Sequence, residues 1–196
     1  MLSICQLFEN NQKSNFDYLV DLKNYPFILD YSEVKMFSSQ PTIELNKKAA
    51  DSLLSAQKNI RDYKFIITWG YRGYKEQYHI FHFMKAKLKK SYPNNWEEKL
   101  DIYTGGQSFL DYIKNTPKSK QSCMSHASGN AVDITGIINN KNQQLNLGGQ
   151  KNNERDAIDY YKSGQIYNNR KLLMESLISI GFRNHPKEWW HWGYCQ

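Results

Sequence analysis

Five histidines, His79, His82, His126, His185 and His191, are spread along the chain, and their chemical interest turns on which of them could meet at one metal ion. A catalytic zinc takes three protein ligands, commonly histidine and carboxylate, and leaves a position open for water. The run HASGNAVD supplies two such groups, His126 and Asp133. Gly129 permits a sharp turn between them, and small Ala131 lets the following strand approach other backbone closely. In that strand Ala131 and Asp133 share one face while Val132 and Ile134 take the other, so Asp133 can return towards His126. Taken alone, a histidine and an aspartate seven residues apart are more often a plain loop-to-strand junction.

A second pair, Glu188 and His191, stands in EWWH. On a regular strand, residues three apart face opposite sides. Both can then reach one site only if Glu188 lies in the loop before the strand proper, which Pro186 favours. An aromatic edge strand with an exposed glutamate is the equal alternative. There is no H-E-x-x-H pair, which excludes a helix-borne zinc site of that kind. His79 and His82 sit three apart among aromatic neighbours and read as core or surface residues. No motif requires His185. Trp189, Trp190 and Trp192 are expected to pack the sheet.

The elements that must carry these groups can be read from period and punctuation. Residues 1–40 form an irregular segment interrupted by Pro26. From Pro41 onwards, Leu45, Ala49, Leu53 and Ala56 recur at helical spacing. KFIITWGY has the β-branched, apolar composition of a buried strand, with Gly70 at its exit. A helix over about Lys75–Lys90 is expected to bury Tyr78, Phe81, Met84 and Leu88, and Pro93 stops it. NWEEKLDIY and QSFLDYIKN are short helices separated by Gly105 and Gly106. NAVDITGII is a strand, NNKNQQLNLGGQKNN a loop, and ERDAIDYYK and NRKLLMESLISIG are helices, the second closing at Gly181. EWWHWGY ends the chain as a strand. With no repeat or linker, helices and strands share one α+β core in a single domain spanning 1–196.

At 196 residues the chain is long enough to fold around its own core. The apolar runs FIITW and AVDITGII fall far short of the roughly 20 residues of a membrane span. The first residues lack the basic, apolar and small-residue regions of a secretory signal. Three cysteines, Cys5, Cys123 and Cys195, argue against a disulfide framework. On these grounds the chain as written reads as cytoplasmic, or as periplasmic or secreted if a signal has been removed, with Cys123 and Cys195 as free buried thiols. A net charge of +7 raises the question of nucleic acid. The lysines, however, recur along expected helices (Lys47, Lys48, Lys85, Lys87, Lys89, Lys90) with no nucleic-acid motif, as on a solvated face.

Three motifs then converge: H-x-x-G-x-A-x-D from His126 to Asp133, E-x-W-H from Glu188 to His191, and Tyr71-Arg72 with a later Gln77. In order and separation they resemble the D-alanyl-D-alanine metallopeptidase family, which shares a fold with the Hedgehog signalling domain. The resemblance runs from about Val20 to Tyr194. VDL, NRKLL, GF and EWWH look most like the D-Ala-D-Ala dipeptidase branch associated with vancomycin resistance. It implies a small antiparallel sheet packed with helices, Zn2+ held by His126, Asp133 and His191, Glu188 as general base, Arg72 stabilising the oxyanion, and Tyr71, Gln77 and Ser125 at the substrate. The implied activity is hydrolysis of D-Ala-D-Ala-type dipeptides or related cell-wall peptides. A D,D-carboxypeptidase or an L-alanyl-D-glutamate endopeptidase on peptidoglycan stem peptides is the alternative. A non-catalytic zinc-binding module is a further one, against which the joint presence of Glu188 and Arg72 argues. The chain departs from the pattern in three places. Met124 stands where the family has serine, Trp69-Gly70-Tyr71-Arg72-Gly73 replaces Asp-x-Tyr-Arg-Pro, and Asn152 occupies the region of an aspartate that holds the substrate amine.

Overall fold

The computed structural model describes residues 19–38, 40–148, 158 and 163–196. Its centre is a five-stranded sheet. Strands β1 (Leu19–Asp21), β2 (Ile28–Leu29), β3 (Glu44–Asn46), β4 (Tyr63–Trp69), β5 (Ala131–Asn139), β6 (Phe182–His185) and β7 (Glu188–Tyr194) occur in that chain order. The large sheet runs β2-β4-β5-β7-β6, and β1 pairs with β3 in a separate ribbon. The expected α+β organisation is therefore present, with one difference. The sheet is mixed, because β2 runs parallel to β4 while the remaining pairs are antiparallel. Within the segment expected to be irregular, Ile28 and Leu29 supply the apolar β-formers that complete this edge.

Helices α1 (Lys47–Asn59), α2 (Tyr74–Ser91), α3 (Trp96–Thr104), α4 (Gly106–Asn115) and α5 (Gly164–Ile178) surround the sheet. α1 starts later than its apolar spacing suggests. Asn46 caps it, its side chain accepting from Lys48 N at 3.1 Å, while Leu45 is taken by the β1–β3 pairing. Leu45 is buried all the same, together with Ala49, Leu53 and Ala56, so the period was apolar for two consecutive reasons. In α2 the buried positions are Gln77, Phe81 and Leu88. Tyr78, expected inside, stands on the outer face with its ring 4.2 Å from that of His82. It lies about 100° around the helix from Gln77, which takes the inward position. Gly105, at φ 73°, supplies the left-handed residue that ends α3 and allows α4 to start at once.

Two apolar clusters result. The larger joins α1 and α5 to the sheet through Leu53, Phe65, Ile67, Ile134, Leu173, Leu177 and Trp192. A smaller one, of Phe81, Leu88, Leu100 and Leu110, holds α2, α3 and α4 together. Between the strand ends and this helical group lies the cleft described next. The helix expected over ERDAIDYYK lies outside the described residues except for Ile158, which is in a turn. No helix among the described residues is long and apolar enough to cross a membrane.

Candidate metal centre and cleft

Antiparallel pairing sets Trp69 against Asp133 and Asp133 against His191, so three neighbouring strands contribute one transverse row. Directly opposed residues in such a sheet share a face, which puts Asp133 and His191 side by side. The alternating residues Val132, Ile134, Trp190 and Trp192 go to the core on the other side. His126 arrives from a short 3-10 turn, His126–Ser128, which Ser125 caps by accepting from Ala127 N at 3.2 Å. Gly129, at φ 78°, then reverses the chain into β5.

His126, Asp133 and His191 are all buried, and their ligand atoms lie within 4.8 Å of one another. Asp133 Oδ1 is 3.3 Å from His126 Nε2 and 3.0 Å from His191 Nδ1. The outward nitrogens face backbone carbonyls. His126 Nδ1 meets Gly70 O at 2.7 Å, and His191 Nε2 meets Met124 O at 2.7 Å. A carbonyl oxygen can only accept, so each outward nitrogen carries the proton. This leaves His126 Nε2 as an inward lone pair, buried and without a hydrogen-bond partner among the described residues. An orphaned acceptor facing a carboxylate is unfavourable in a closed protein interior. It fits a cation between the three groups, and carbonyl-anchored imidazoles are the arrangement metal ligands ordinarily adopt.

The electrostatics divide the two histidines. Burial, with the charge of Arg72 added, holds His126 down at about 3. Burial pushes His191 the same way, but the hydrogen bond to Asp133, its charge and that of Glu188 outweigh it, and its pKa is raised. Without a cation the site therefore contains neutral His126 and a His191 that favours its proton. A metal ion would displace that proton.

Glu188 and His191, which a regular strand would turn apart, both line the cleft. They do so because the β6–β7 register is interrupted. Asn184 pairs with Trp192 and the adjacent His185 pairs with Glu188. The expectation that Glu188 precedes the strand is thus replaced by a bulge within it, consistent with Trp189 joining the core alongside Trp190 and Trp192. His185 also lines the cleft, its Nδ1 3.8 Å from Glu188 Oε2.

Arg72 reaches the same cleft from the loop after β4, where its N–H donates to His126 O at 3.2 Å. Burial pushes the guanidinium pKa down, opposed by Asp133, Glu188 and Glu33; an arginine so placed still carries its charge. Its Nε is buried with no hydrogen-bond partner among the described residues. The guanidinium carbon lies 5.0 Å from the centre of the Trp69 ring, and the Trp69 indole donates to Glu33 Oε2 at 2.7 Å. Trp69 thus offers Arg72 a π face.

The cleft has a volume of about 400 Å³, with Ile102, Phe109, Tyr112 and Ile113 of the helical group on its far wall. Gln77 and Ser125 line it, but Tyr71 does not: its ring lies 5.0 Å from Lys118 Nζ. Asn152 lies outside the described residues. His79 and His82 are exposed on α2, away from the centre. Gly70 and Asn184 were not legible as functional positions, and Met124 stood out only as a departure from the serine of the resembled pattern. Gly70 and Met124 act through backbone carbonyls, which leave no trace in residue type.

Cys123 and Cys195 form a disulfide, which corrects the expectation of free thiols. The pairing of β5 with β7 brings the end of β7 beside the loop before His126, and the two Cα atoms are 5.2 Å apart. An odd cysteine count excluded a full framework, not a single bridge.

Residues 38–196 match the D-ala-D-ala dipeptidase family of peptidases. A D-alanyl-D-alanine dipeptidase of Synechocystis sp. is 31% identical over 109 residues, which cover 48% of this chain and 42% of that relative; the match thus spans less than half of the relative's length. Among solved structures, the chain is similar to the VanY D,D-pentapeptidase of a VanB-type resistance cassette, in complex with Zn(II) (TM-score 0.47, 17% identity, 80% of this chain and 75% of that one). It is also similar to the LdcB LD-carboxypeptidase (TM-score 0.49, 20% identity, 90% and 67%), and to VanYB in complex with D-alanine-D-alanine (TM-score 0.47, 16% identity, 88% and 80%).

Proposed function

The chain belongs to the D-ala-D-ala dipeptidase family, and from that premise we propose that it is a zinc-dependent D,D-peptidase that hydrolyses D-Ala-D-Ala-type dipeptides or related cell-wall peptides. The observation that carries this reading is the buried His126–Asp133–His191 cluster, with its orphaned inward nitrogen, opening onto a cleft that also contains Glu188 and Arg72.

His126 Nε2, Asp133 Oδ1 and His191 Nδ1 would hold the ion, and two imidazoles with one carboxylate are a donor set suited to Zn2+. Zinc bound there would supply Lewis acidity and make water acidic, near pKa 7 instead of about 15.7. Glu188, at the mouth of the same cleft, takes the proton of the attacking water and returns it to the departing amine. Arg72 donates to the oxygen on which negative charge accumulates as the carbonyl becomes tetrahedral. Its stacking on Trp69 and its backbone bond to His126 O hold that donor in place before reaction, which is where electrostatic catalysis gains most. Gln77 and Ser125 contribute polar surface for the peptide, while Ile102, Phe109 and Ile113 contribute apolar surface opposite them.

The Cys123–Cys195 bridge supports a site of action in an oxidising compartment, periplasmic or extracellular, over the cytoplasmic reading of the bare sequence.

The test is product analysis with zinc-loaded protein offered free D-Ala-D-Ala and, separately, a capped pentapeptide ending in D-Ala-D-Ala. Release of D-alanine from the free dipeptide supports the dipeptidase reading. Cleavage of the pentapeptide alone replaces it with a D,D-carboxypeptidase, and cleavage of neither refutes the activity.

A further inference from the structure

The interrupted register of the β6–β7 hairpin coincides with the groups proposed above to act. Between the pairs Asn184 with Trp192 and His185 with Glu188, the residues Trp189, Trp190 and His191 have no counterpart on β6. Carbonyls in a bulge lose the donors that a regular ladder would provide, and buried carbonyls do not go unsatisfied without cost. The side chain of Asn184 replaces those donors. Its Nδ2 donates to Glu188 O at 3.0 Å, Trp189 O at 3.3 Å and His191 O at 3.0 Å. The Trp192 indole adds a bond to Trp189 O at 3.0 Å. Two N–H hydrogens shared among three acceptors fix the amide at the centre of the bulge, and with it the path of the backbone from Glu188 to His191. The Asn184 Oδ1 is buried without a partner among the described residues, so the amide serves here as a donor and not for a matched pair of bonds.

We propose that Asn184 is the positioning residue that sets the geometry between Glu188 and His191. It touches neither substrate nor metal. By holding three carbonyls of the bulge, it turns a glutamate that regular pleating would direct away from His191 onto the same cleft. This inference rests on the roles given above to Glu188 and His191. It goes further in naming the side chain without which a three-residue spacing cannot serve one site.

The experiment compares wild-type protein with Asn184→Asp and Asn184→Leu, which keep the approximate size of the side chain and remove its donors, each loaded with Zn2+ and, separately, with Co2+. For a displaced catalytic group, kcat should fall about 10- to 100-fold. KM should stay within about twofold, because substrate contacts are not removed. The visible absorption of the Co2+ form should shift as His191 moves. Folded variants with wild-type kcat and an unchanged Co2+ spectrum would overturn the proposal, as would a loss of activity wholly accounted for by the unfolded fraction. A further readout needs no variant. In wild-type protein, the Asn184 side-chain amide protons should resist exchange as well as the backbone amides of β7, and exchange at the rate of a solvated amide would also overturn it. If the wild type cleaves no peptide, the peptidase reading fails, while the Co2+ spectra and amide exchange still decide the role of Asn184.

Discussion

Replacing both bridged cysteines in the Cys123→Ser/Cys195→Ser variant should cost the protein much of its stability. The bridge joins positions 72 residues apart. On the chain-entropy relation, closing a loop of that length removes about 15 cal/mol/K from the unfolded ensemble, or about 4 kcal/mol at 25 °C. For a chain of this size each kcal/mol moves the melting temperature by roughly 2–4 °C, so a fall of roughly 8–16 °C is expected. The loss should extend to the metal centre. Cys123 adjoins Met124, whose carbonyl anchors His191, and a side chain at Gly193 would meet Met124 Sδ and Cys123 O. The bridge therefore clamps the loop before His126 onto β7. Zinc affinity of the variant, read by chelator competition, should fall by up to about tenfold, as for lost support of a ligand. Calorimetry and thiol titration provide the assay. A melting temperature within about 2 °C of wild type would refute the entropic argument. Three titratable thiols in unreduced, unfolded wild type would refute the bridge itself.

Other perturbations reach the same site from different sides. Arg72→Ala should lower kcat by roughly 10²–10³, about 3–4 kcal/mol of transition-state stabilisation, with KM little changed; a loss confined to KM would make Arg72 a substrate anchor instead. Gly70→Ala would drive a methyl group into the Glu44 carbonyl and displace the Gly70 oxygen that holds His126. It should weaken zinc binding about 10- to 100-fold, which dialysis against a chelator would measure. In metal-free protein, His126 is held at about 3 by burial and Arg72, so from pH 6.5 downwards the unfolded chain accepts a proton that the folded chain refuses. Its contribution to stability is therefore lost as pH falls through that window. His191, with a raised pKa, is protonated in both states below 6.5 and adds no slope there; its stabilisation is lost as pH rises through the folded value. Urea midpoints should fall between pH 6.5 and 4.5, and His126→Asn should flatten that fall; equal slopes in the two proteins would contradict the assignment.

The parts of this architecture written in residue type and period were legible beforehand. β4, β5 and β7 announce themselves through β-branched and aromatic runs, and α2 to α4 through Pro93 and the Gly105-Gly106 pair. His126, Asp133, Glu188 and His191 stood out because histidine and carboxylate carry chemistry whatever surrounds them. What escaped depends on three-dimensional neighbours. The burial of Leu45 served a strand and not a helix, since the alternative partner lay in β1. Tyr78 lost the inward face of α2 to Gln77, a polar residue that the cleft requires. Strict alternation sets Glu188 opposite His191, and only the bulge bonded by Asn184 reconciles them. Parity of cysteines could not show that β5 and β7 bring Cys123 and Cys195 together. Trp69, which departs from the Asp-x-Tyr-Arg-Pro pattern that the sequence resembles, is in three dimensions a stacked support for Arg72.

The central claim is that three buried side chains hold zinc while Glu188 moves the proton. Zinc content and D-Ala-D-Ala turnover, measured together on wild type and Glu188→Gln, test it most directly. Retention of one zinc per chain in both proteins, with hydrolysis lost only in the variant, is the predicted result. Undiminished hydrolysis by Glu188→Gln, or a wild type that takes up no zinc, would contradict it.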